Sequence, residues 1–250
     1  MAVTGSASGI GAAVRGRLEA AGDRVIGVDL RDAEVTADLS GRPGRIAASE
    51  AITAACGGRL DAFVACAGVG PHVRTRELIP AVGYFGAVEL LDSLLGALTA
   101  GHQPCAVVIA SNSAGLIPPD QALLGALMAG DEEAAARAAA VLDGVTVYGV
   151  TKRALTRAVR HRAGPWGARG VRLNAVAPGA VDTPLLQATL EDPVLGPLTQ
   201  ALAIPLGRRA APSEIAHAVA FLLDPDSGYI HGSVLFADGG TDAVLRPEAI

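Results

Sequence analysis

A tyrosine and a lysine four positions apart are the residues of this chain best suited to acid–base chemistry. Tyr148 and Lys152 lie in the stretch 147–161, whose pattern predicts a helix, so the two side chains share one helical face. A neighbouring cation favours the phenolate, and we expect Lys152 to lower the pKa of Tyr148 from about 10 toward the working range of a general acid–base catalyst. Lys152 is the only lysine among the 20 lysine and arginine residues. The alternative is a surface tyrosine and a solvated lysine on an amphipathic helix.

A glycine-rich loop near the start of the chain follows a short apolar strand, 2–4, and precedes a helical run, 12–21. Gly5 permits a tight turn, and Gly9 lets the backbone approach a pyrophosphate at the positive N-terminus of the helix. Gly11 permits close packing of helix on strand. The loop therefore predicts a dinucleotide site, with flexible loop glycines as the alternative.

A carboxylate at the end of the second predicted strand indicates which dinucleotide is bound. Asp29 ends the strand 24–29 and lies 18 residues after Gly11. This is near the offset of about 20 residues at which an acid binds the adenosine ribose hydroxyls. Such an acid repels the extra phosphate of NADP, so we expect NAD. Arg31 is the nearby residue that would favour NADP.

The remaining elements predict how these residues come together. Strands are expected at 60–65, 105–110, 171–176 and 233–237, alternating with helices at 46–56, 77–98 and 212–223. This alternation predicts an α/β fold with a doubly wound parallel sheet (a Rossmann fold), and 250 residues fit a single domain, 1–250. Ligands bind beyond the carboxyl ends of such strands, where Gly5, Asp29, Gly68, Ser111 and Pro178 fall.

Composition and charge argue against several classes of partner. The net charge is −5, the pI is about 5.5, and arginines and acids are mixed along the chain, so we expect neither nucleic acid nor membrane binding. Three widely spaced cysteines and five scattered histidines show no pairing or metal-ligand spacing. We therefore expect metal-free chemistry in the cytoplasm, and no signal peptide at the start of the chain.

Taken together, these motifs closely resemble the short-chain dehydrogenase/reductase family over essentially the whole chain. The matching motifs are Thr4-Gly5-x-x-x-Gly9-x-Gly11, Asp38, Ala67-Gly68, Ser111, Tyr148-x-x-x-Lys152, and Pro178-Gly179 with Thr183. The stretches 28–34, 84–87, 101–104 and 242–247 are similar more particularly to the bacterial 3α-hydroxysteroid dehydrogenase/carbonyl reductase subgroup.

The resemblance implies a mechanism that agrees with the residues. Tyr148 exchanges a proton with the substrate oxygen while hydride passes between the substrate carbon and a nicotinamide. Ser111 holds that oxygen, and Lys152 lowers the pKa of Tyr148 and binds the nicotinamide ribose. The cofactor contacts implied by the resemblance are Gly5, Ser8, Gly9, Ile10, Gly11, Asp29, Asp38, Leu39, Ala67, Gly68, Tyr148, Lys152, Pro178, Gly179, Val181 and Thr183.

One departure from the family concerns proton supply. Gly83 stands where the family has an asparagine that helps to hold a water between the lysine and bulk solvent. The relay in this chain is therefore either rebuilt or impaired. Two ways of rebuilding it are the amide of Asn112 and a second water in the space that Gly83 leaves.

A second departure is an insert of about 29 residues, 116–144, between Ser111 and Tyr148. It reads as two short helices around residues 130–131. Many relatives form tetramers through nearby helices, and we expect the insert to block or replace that contact and give a homodimer. The alternative is an inert surface excursion.

The segment 180–205 predicts a mobile lid over the site, with an apolar lining. Its apolar residues are Val181, Leu185, Leu186, Leu190, Leu198, Leu202 and Ile204, and further walls are expected from Val69, Leu116 and Ile117. We therefore expect a small hydrophobic ketone or secondary alcohol, steroid-like by the subgroup resemblance. Two function classes remain: an NAD-dependent oxidoreductase, or a catalytically weakened NAD-binding sensor or partner protein of the same fold.

Overall fold

A seven-stranded parallel sheet forms the centre of the protein in the computed structural model, which describes residues 1–248. Its order is β3-β2-β1-β4-β5-β6-β7, so the chain winds outward in both directions from β1, as the predicted doubly wound fold requires. The strands are β1 (Ala2–Thr4), β2 (Ile26–Asp29), β3 (Val35–Thr36), β4 (Ala62–Ala65), β5 (Cys105–Ile109), β6 (Arg172–Pro178) and β7 (Val234–Ala237).

Twelve α-helices lie within the described residues, and the longer ones cover the two faces of the sheet. They are α1 (Gly9–Ala20), α2 (Arg42–Ala55), α3 (Leu78–Pro80), α4 (Gly86–Thr99), α5 (Ser113–Leu116), α6 (Gln121–Ala129), α7 (Glu132–Ala140), α8 (Gly144–Gly167), α9 (Pro184–Glu191), α10 (Leu195–Gln200), α11 (Pro212–Leu223) and α12 (Thr241–Leu245).

Strand β5 shows why the sheet is buried on both faces. Ala106 and Val108 belong to the core beneath α2, α4 and α8, whereas Val107 and Ile109 belong to the core beneath α1 and α11. Successive side chains of a strand point to opposite faces, so a continuous apolar run is needed to fill both cores. The carboxyl end of β5, where Ser111 follows, is therefore held rigidly from both sides.

The predicted helix 77–98 is interrupted in the structure. A π-helical turn, Ala81–Phe85, separates α3 from α4, and the N–H of Gly86 donates to the carbonyl of Ala81, five residues earlier. Pro80 precedes this turn and has no N–H to donate to the regular ladder. The whole stretch Leu78–Thr99 is long and apolar enough to cross a membrane, but 61% of its most apolar window is buried in the protein, as in a core helix.

The insert is built from capped helices that pack into the main core. The Asp120 carboxylate accepts from the N–H of Leu123 at 2.8 Å and begins α6, and Asp131 caps α7 in the same way at 2.9 Å. Leu123 and Leu127 are fully buried against the side of the core that α8 covers. The two short helices expected between Ser111 and Tyr148 thus lie where the sequence predicts them.

A buried arginine ties the insert to the body of the protein. The side chain of Arg45 in α2 is 1% exposed and contacts Glu89 of α4 at 2.8 Å and Glu132 of α7 at 2.5 Å. Its guanidinium also lies 5.8 Å from the ring centre of Phe85. A planar guanidinium presents several N–H donors in a rigid fork, so it can bind two carboxylates while its charge lies near an aromatic ring.

We predict that the insert contributes to global stability. Leu127→Ala should lower the free energy of unfolding by about 3 kcal/mol, because it leaves a cavity in the core. Val141→Ala removes a side chain that is 84% exposed and should change it by less than about 0.5 kcal/mol. Chemical denaturation of both variants measures this. Equal unfolding free energies for the two variants would contradict a contribution of the insert to the stability of the core.

Candidate active site

A cavity of about 660 Å³ opens beyond the carboxyl ends of the central strands. Ser111 and all sixteen residues predicted to contact the cofactor line it. The predicted cofactor residues in the lining are Gly5, Ser8, Gly9, Ile10, Gly11, Asp29, Asp38, Leu39, Ala67, Gly68, Tyr148, Lys152, Pro178, Gly179, Val181 and Thr183. The structure therefore brings together every residue of the predicted site, although their roles stay predictions.

The glycine loop is packed so closely against its neighbours that side chains would collide with the backbone. Gly5 has a φ of +67°, and a Cβ there would lie 2.9 Å from the Cα of Ala67. A Cβ on Gly11 would lie 2.0 Å from the carbonyl oxygen of Gly5. Helix α1 begins at Gly9, so its free N–H groups and positive dipole end face the cavity. These residues fit the pyrophosphate of a dinucleotide.

Asp29 is fixed at the end of β2 by the loop it faces. Its carboxylate accepts from the N–H of Ala7 at 2.9 Å and from the N–H of Leu30 at 2.7 Å. These bonds hold the acid in the cavity wall, where it fits the ribose hydroxyls of NAD and repels an added phosphate. Arg31 points into solvent, with 86% of its side chain exposed, and its contact with Asp32 is 4.0 Å long.

Two serines that follow β5 are arranged around one hydroxyl. Both the N–H and the hydroxyl of Ser113 donate to the Ser111 hydroxyl oxygen, at 3.2 and 3.0 Å. With its acceptor side occupied, Ser111 has its own proton to give, and a bond from it to Tyr148 would favour the phenolate. Ser113 is absent from the sequence predictions; the Ser-x-Ser spacing after an apolar strand is the signal that could have found it.

Lys152 lies beneath Tyr148 on α8 and is buried. Its ammonium donates to the carbonyl oxygen of Ile109 at 2.8 Å and lies 5.7 Å from the centre of the Tyr148 ring. The two side chains share one face of the helix, as their spacing predicts. The bond to Ile109 joins α8 to the last residue of β5, two residues before Ser111.

Burial controls the charge states of both groups. Burial raises the pKa of Tyr148, and the hydrogen bond from Ser111 opposes this only in part. Burial also lowers the pKa of Lys152 to about 8. The net shift of the Tyr148 pKa is therefore opposite to the one predicted, because removal of the phenolate from water outweighs the stabilisation that its neighbours provide.

The comparisons with known proteins agree with this geometry. Residues 1–178 match the family model described as NAD dependent epimerase/dehydratase family, and residues 132–242 match one described as Enoyl-(Acyl carrier protein) reductase. The chain is 49% identical to 3-alpha-hydroxysteroid dehydrogenase/carbonyl reductase of Comamonas testosteroni, over 98% of this chain and 97% of the relative.

The chain belongs to the short-chain dehydrogenase/reductase family.

Two further relatives place it within that family. A crystal structure of the 3-alpha-hydroxysteroid dehydrogenase from Pseudomonas sp. B-0831, complexed with NADH, superposes with a TM-score of 0.95 at 47% identity, covering 100% of this chain and 99% of that one. Cis-4-hydroxycyclohexanecarboxylate dehydrogenase of Sinomonas cyclohexanicum is 32% identical, over 97% of this chain and 96% of the relative.

The departure from the short-chain dehydrogenase/reductase pattern at Gly83 falls inside the π-helical turn. A Cβ on Gly83 would lie 3.4 Å from the methyl carbon of Thr151, the neighbour of Lys152. The Thr151 hydroxyl is fully buried and has no hydrogen-bond partner within residues 1–248. Ordered water commonly satisfies such groups. The atom of Thr151 that faces Gly83 is the methyl carbon, so a second water near Gly83 stays a prediction.

Asn112 is engaged elsewhere. Its amide donates to the carboxylate of Asp238 at 3.3 Å, and its N–H donates to the carbonyl of Pro178 at 2.9 Å. One N–H of the Asn112 amide is thus directed at Asp238, and a role for Asn112 in place of the family asparagine stays a prediction. Asn112 holds the loop after β5 against the loop after β7.

The lid segment contributes apolar walls, as the sequence predicts, together with residues that it does not. Val181, Leu185, Leu186, Leu198 and Leu202 line the cavity, as do Val69, Leu116 and Ile117, whereas Leu190 and Ile204 lie outside the lining. Residues missed by the sequence include Cys66, Val145, Thr189 and Leu245. They come from four separate segments, and no local pattern marks them. Burial raises the pKa of the Cys66 thiol to about 12, so this thiol stays protonated.

Metal ligands do not cluster in the described part of the chain. No group of three or more His, Cys, Asp or Glu residues within 1–248 could hold a metal ion. Metal-free chemistry stays a prediction.

We predict that the buried ammonium makes stability depend on pH. The pKa of Lys152 is about 8 when folded and about 10.5 when unfolded, so the unfolded chain binds more protons between these values. As the pH rises through this window, the free energy of unfolding of the wild type should increase relative to Lys152→Met, by up to about 3 kcal/mol. Urea unfolding at pH 7 to 10.5 measures the difference, and parallel curves would contradict it.

Proposed function

We propose that the protein interconverts a bulky apolar secondary alcohol and its ketone by NAD(H)-dependent hydride transfer. The observation that carries this proposal is the grouping of Ser111, Tyr148 and Lys152 at one wall of a cavity whose other end holds the glycine loop and Asp29. The relatives named for hydroxysteroid and carbonyl chemistry support the same reaction class. When bound in this cavity, NADH would supply the hydride for reduction of the ketone, and NAD⁺ would accept it in oxidation of the alcohol.

Tyr148 and Ser111 have different roles at the substrate oxygen. Tyr148 gives a proton to the ketone oxygen in reduction and takes one from the alcohol in oxidation. Ser111, held by Ser113, hydrogen-bonds the same oxygen and stabilises its developing negative charge. A phenol whose pKa is raised stays protonated at neutral pH, so this site is set to donate a proton, and oxidation should be favoured as the pH rises.

The walls of the cavity favour an apolar substrate. Asp29, Asp38 and Lys152 are its charged lining residues; the two acids belong to the nucleotide end, and Lys152 is bonded to Ile109. Leu198 and Leu202 line the cavity yet are 62% and 42% exposed. An alicyclic or steroid-like ring system would cover these leucines, which is favourable by roughly 25 cal/mol for each Å² removed from water.

A sensor or partner protein that binds NAD without turnover is the second candidate. Gly83 favours it, because that position lacks the side chain that the family uses to hold the relay water. NADH binding measured by calorimetry, without NADH oxidation on a panel of steroids, quinones and cyclic ketones, would support the sensor. Oxidation of NADH by any of them would support the enzyme.

We predict that Tyr148→Phe lowers kcat by about 100-fold or more, because the proton donor is lost, while the Kd for NADH stays within about twofold. Tyr84→Phe is the matched control: Tyr84 is buried at the π-helical turn and lies outside the cavity lining, so it should keep wild-type turnover. NADH absorbance measures turnover and fluorescence titration measures binding. Wild-type activity in Tyr148→Phe would refute the assignment.

We further propose that the protein is a cytoplasmic homodimer. Helices α6 and α7 pack on the α8 side of the protein, which supports the expectation that the insert alters that face. At one edge of the sheet, β7 pairs only with β6 among the described strands. Phe236 on β7 is 38% exposed. An unpaired edge with an exposed aromatic residue suits a contact with a second copy.

Light scattering tests the assembly. The chain mass is 25.0 kDa, so a dimer gives about 50 kDa, and Phe236→Asp should shift the protein toward the monomer mass. A tetramer of wild-type protein would contradict a blocking insert, and an unchanged dimer in Phe236→Asp would rule out the β7 edge.

A further inference from the structure

Two walls of the substrate end of the cavity come from segments far apart in the sequence. Val69 and Pro71 lie in the loop that follows β4, and Leu185 and Thr189 lie on α9 of the lid. The shape of this end depends on how these two segments are held together. It is the end that an apolar substrate would occupy in the proposed function.

A histidine behind the first wall is hydrogen-bonded to the second. The Nδ1 atom of His72 lies 3.1 Å from the hydroxyl oxygen of Thr189, 117 positions away in the sequence. The Thr189 hydroxyl itself donates to the carbonyl of Leu185 at 2.9 Å. A hydroxyl has one proton, so Thr189 accepts from His72, and His72 carries a proton on Nδ1.

Each partner is set in place by its own segment. Arg76 donates to the carbonyl oxygens of Pro71 and Val73, which holds the loop in its bend. The Pro71 carbonyl also packs against Gly144, the first residue of α8, since a Cβ on Gly144 would lie 2.0 Å from it. The loop is therefore anchored to the helix that carries Tyr148.

The approach of His72 to the lid is close. A Cβ on Gly70 would lie 2.7 Å from Nδ1 of His72 and 3.0 Å from a methyl carbon of Leu185, so a larger residue there would displace one of these side chains. Thr189 is 5% exposed, so water competes little for its hydroxyl. A hydrogen bond shielded in this way fixes a distance between the two walls.

We propose that His72 and Thr189 are a positioning pair that sets the width of the substrate end of the cavity, and so the selectivity for bulky rings over small ones. The pair acts through Leu185 and Pro71, which touch the cavity, and not on the reacting atoms. This inference rests on the proposed function, because it assigns that site its substrate preference. The cofactor end of the cavity is held by other contacts, those of Asp29 and the glycine loop. Loss of the bond between His72 and Thr189 should therefore not change NADH binding.

The test compares Thr189→Val, which keeps the shape but loses the hydroxyl, with Thr189→Ser, which keeps the hydroxyl. We expect Thr189→Val to raise KM for a bulky alicyclic ketone about fivefold, the usual effect of one hydrogen bond, with less than a twofold change for cyclohexanone and for the Kd of NADH. Thr189→Ser should match the wild type. The proposal would be overturned if Thr189→Val and Thr189→Ser changed KM equally, or if Thr189→Val changed KM equally for both ketones.

A variant of His72 completes a double-mutant cycle with Thr189→Val. His72→Ala should reproduce the Thr189→Val profile, and the double variant should be no worse than either single one, because both remove the same bond. His102→Ala, on an exposed loop, is the matched control and should leave the profile unchanged. Additive losses in the double variant would contradict the pairing.

Amide hydrogen exchange gives a readout that does not need activity. In Thr189→Val, amides of α9 should exchange faster than in wild type, whereas those of α8 should not change. Unchanged exchange in α9 would overturn the positioning pair. A wild-type protein that binds NADH but reduces none of the ketones would instead refute the proposed function.

Discussion

The hydrogen bond from the buried Lys152 ammonium to the carbonyl of Ile109 is the contact on which the site depends. It joins α8 to the carboxyl end of β5 at 2.8 Å, so Tyr148 and Ser111 are placed against each other by one rigid junction. The same burial that makes the junction rigid displaces both pKa values. That of the phenol rises above its ordinary value of 10.0, and that of the ammonium falls from 10.5 to about 8, so two groups of nearly equal acidity in water are moved apart and the ammonium loses its proton first.

The rest of the fold buries the junction between α8 and β5. The sheet is covered on both faces, so the strand ends that carry Asp29, Ser111 and Gly179 keep fixed positions around one cavity. The insert adds Leu123 and Leu127 to the core on the α8 side. It lies between the two catalytic candidates in the sequence and supports the helix that carries one of them.

Much of the fold and site follows from local sequence patterns. The glycine loop, Asp29 and the Tyr148–Lys152 spacing are short-range signals, and the structure brings all of them to the same cavity. The doubly wound sheet and the two helices of the insert also lie where the sequence predicts them.

The remainder depends on contacts between distant segments. The direction of the pKa shift of Tyr148 is set by what surrounds α8, and no helical spacing reveals it. The π-helical turn beside Gly83 and the two-residue strand β3 are too short to leave a periodic pattern. The contact of His72 with Thr189 and the approach of Leu245 to the cavity join segments that only the folded chain brings together.

The acidity of Tyr148 is the quantity that tests the account most directly. The chain has three tyrosines, so ultraviolet titration of the wild type minus Tyr148→Phe isolates this phenol. If burial dominates, the difference signal has its midpoint above 10, the usual value for tyrosine. A midpoint below 10 would show that neighbouring charge outweighs burial, and would contradict the account of the site given by the structure.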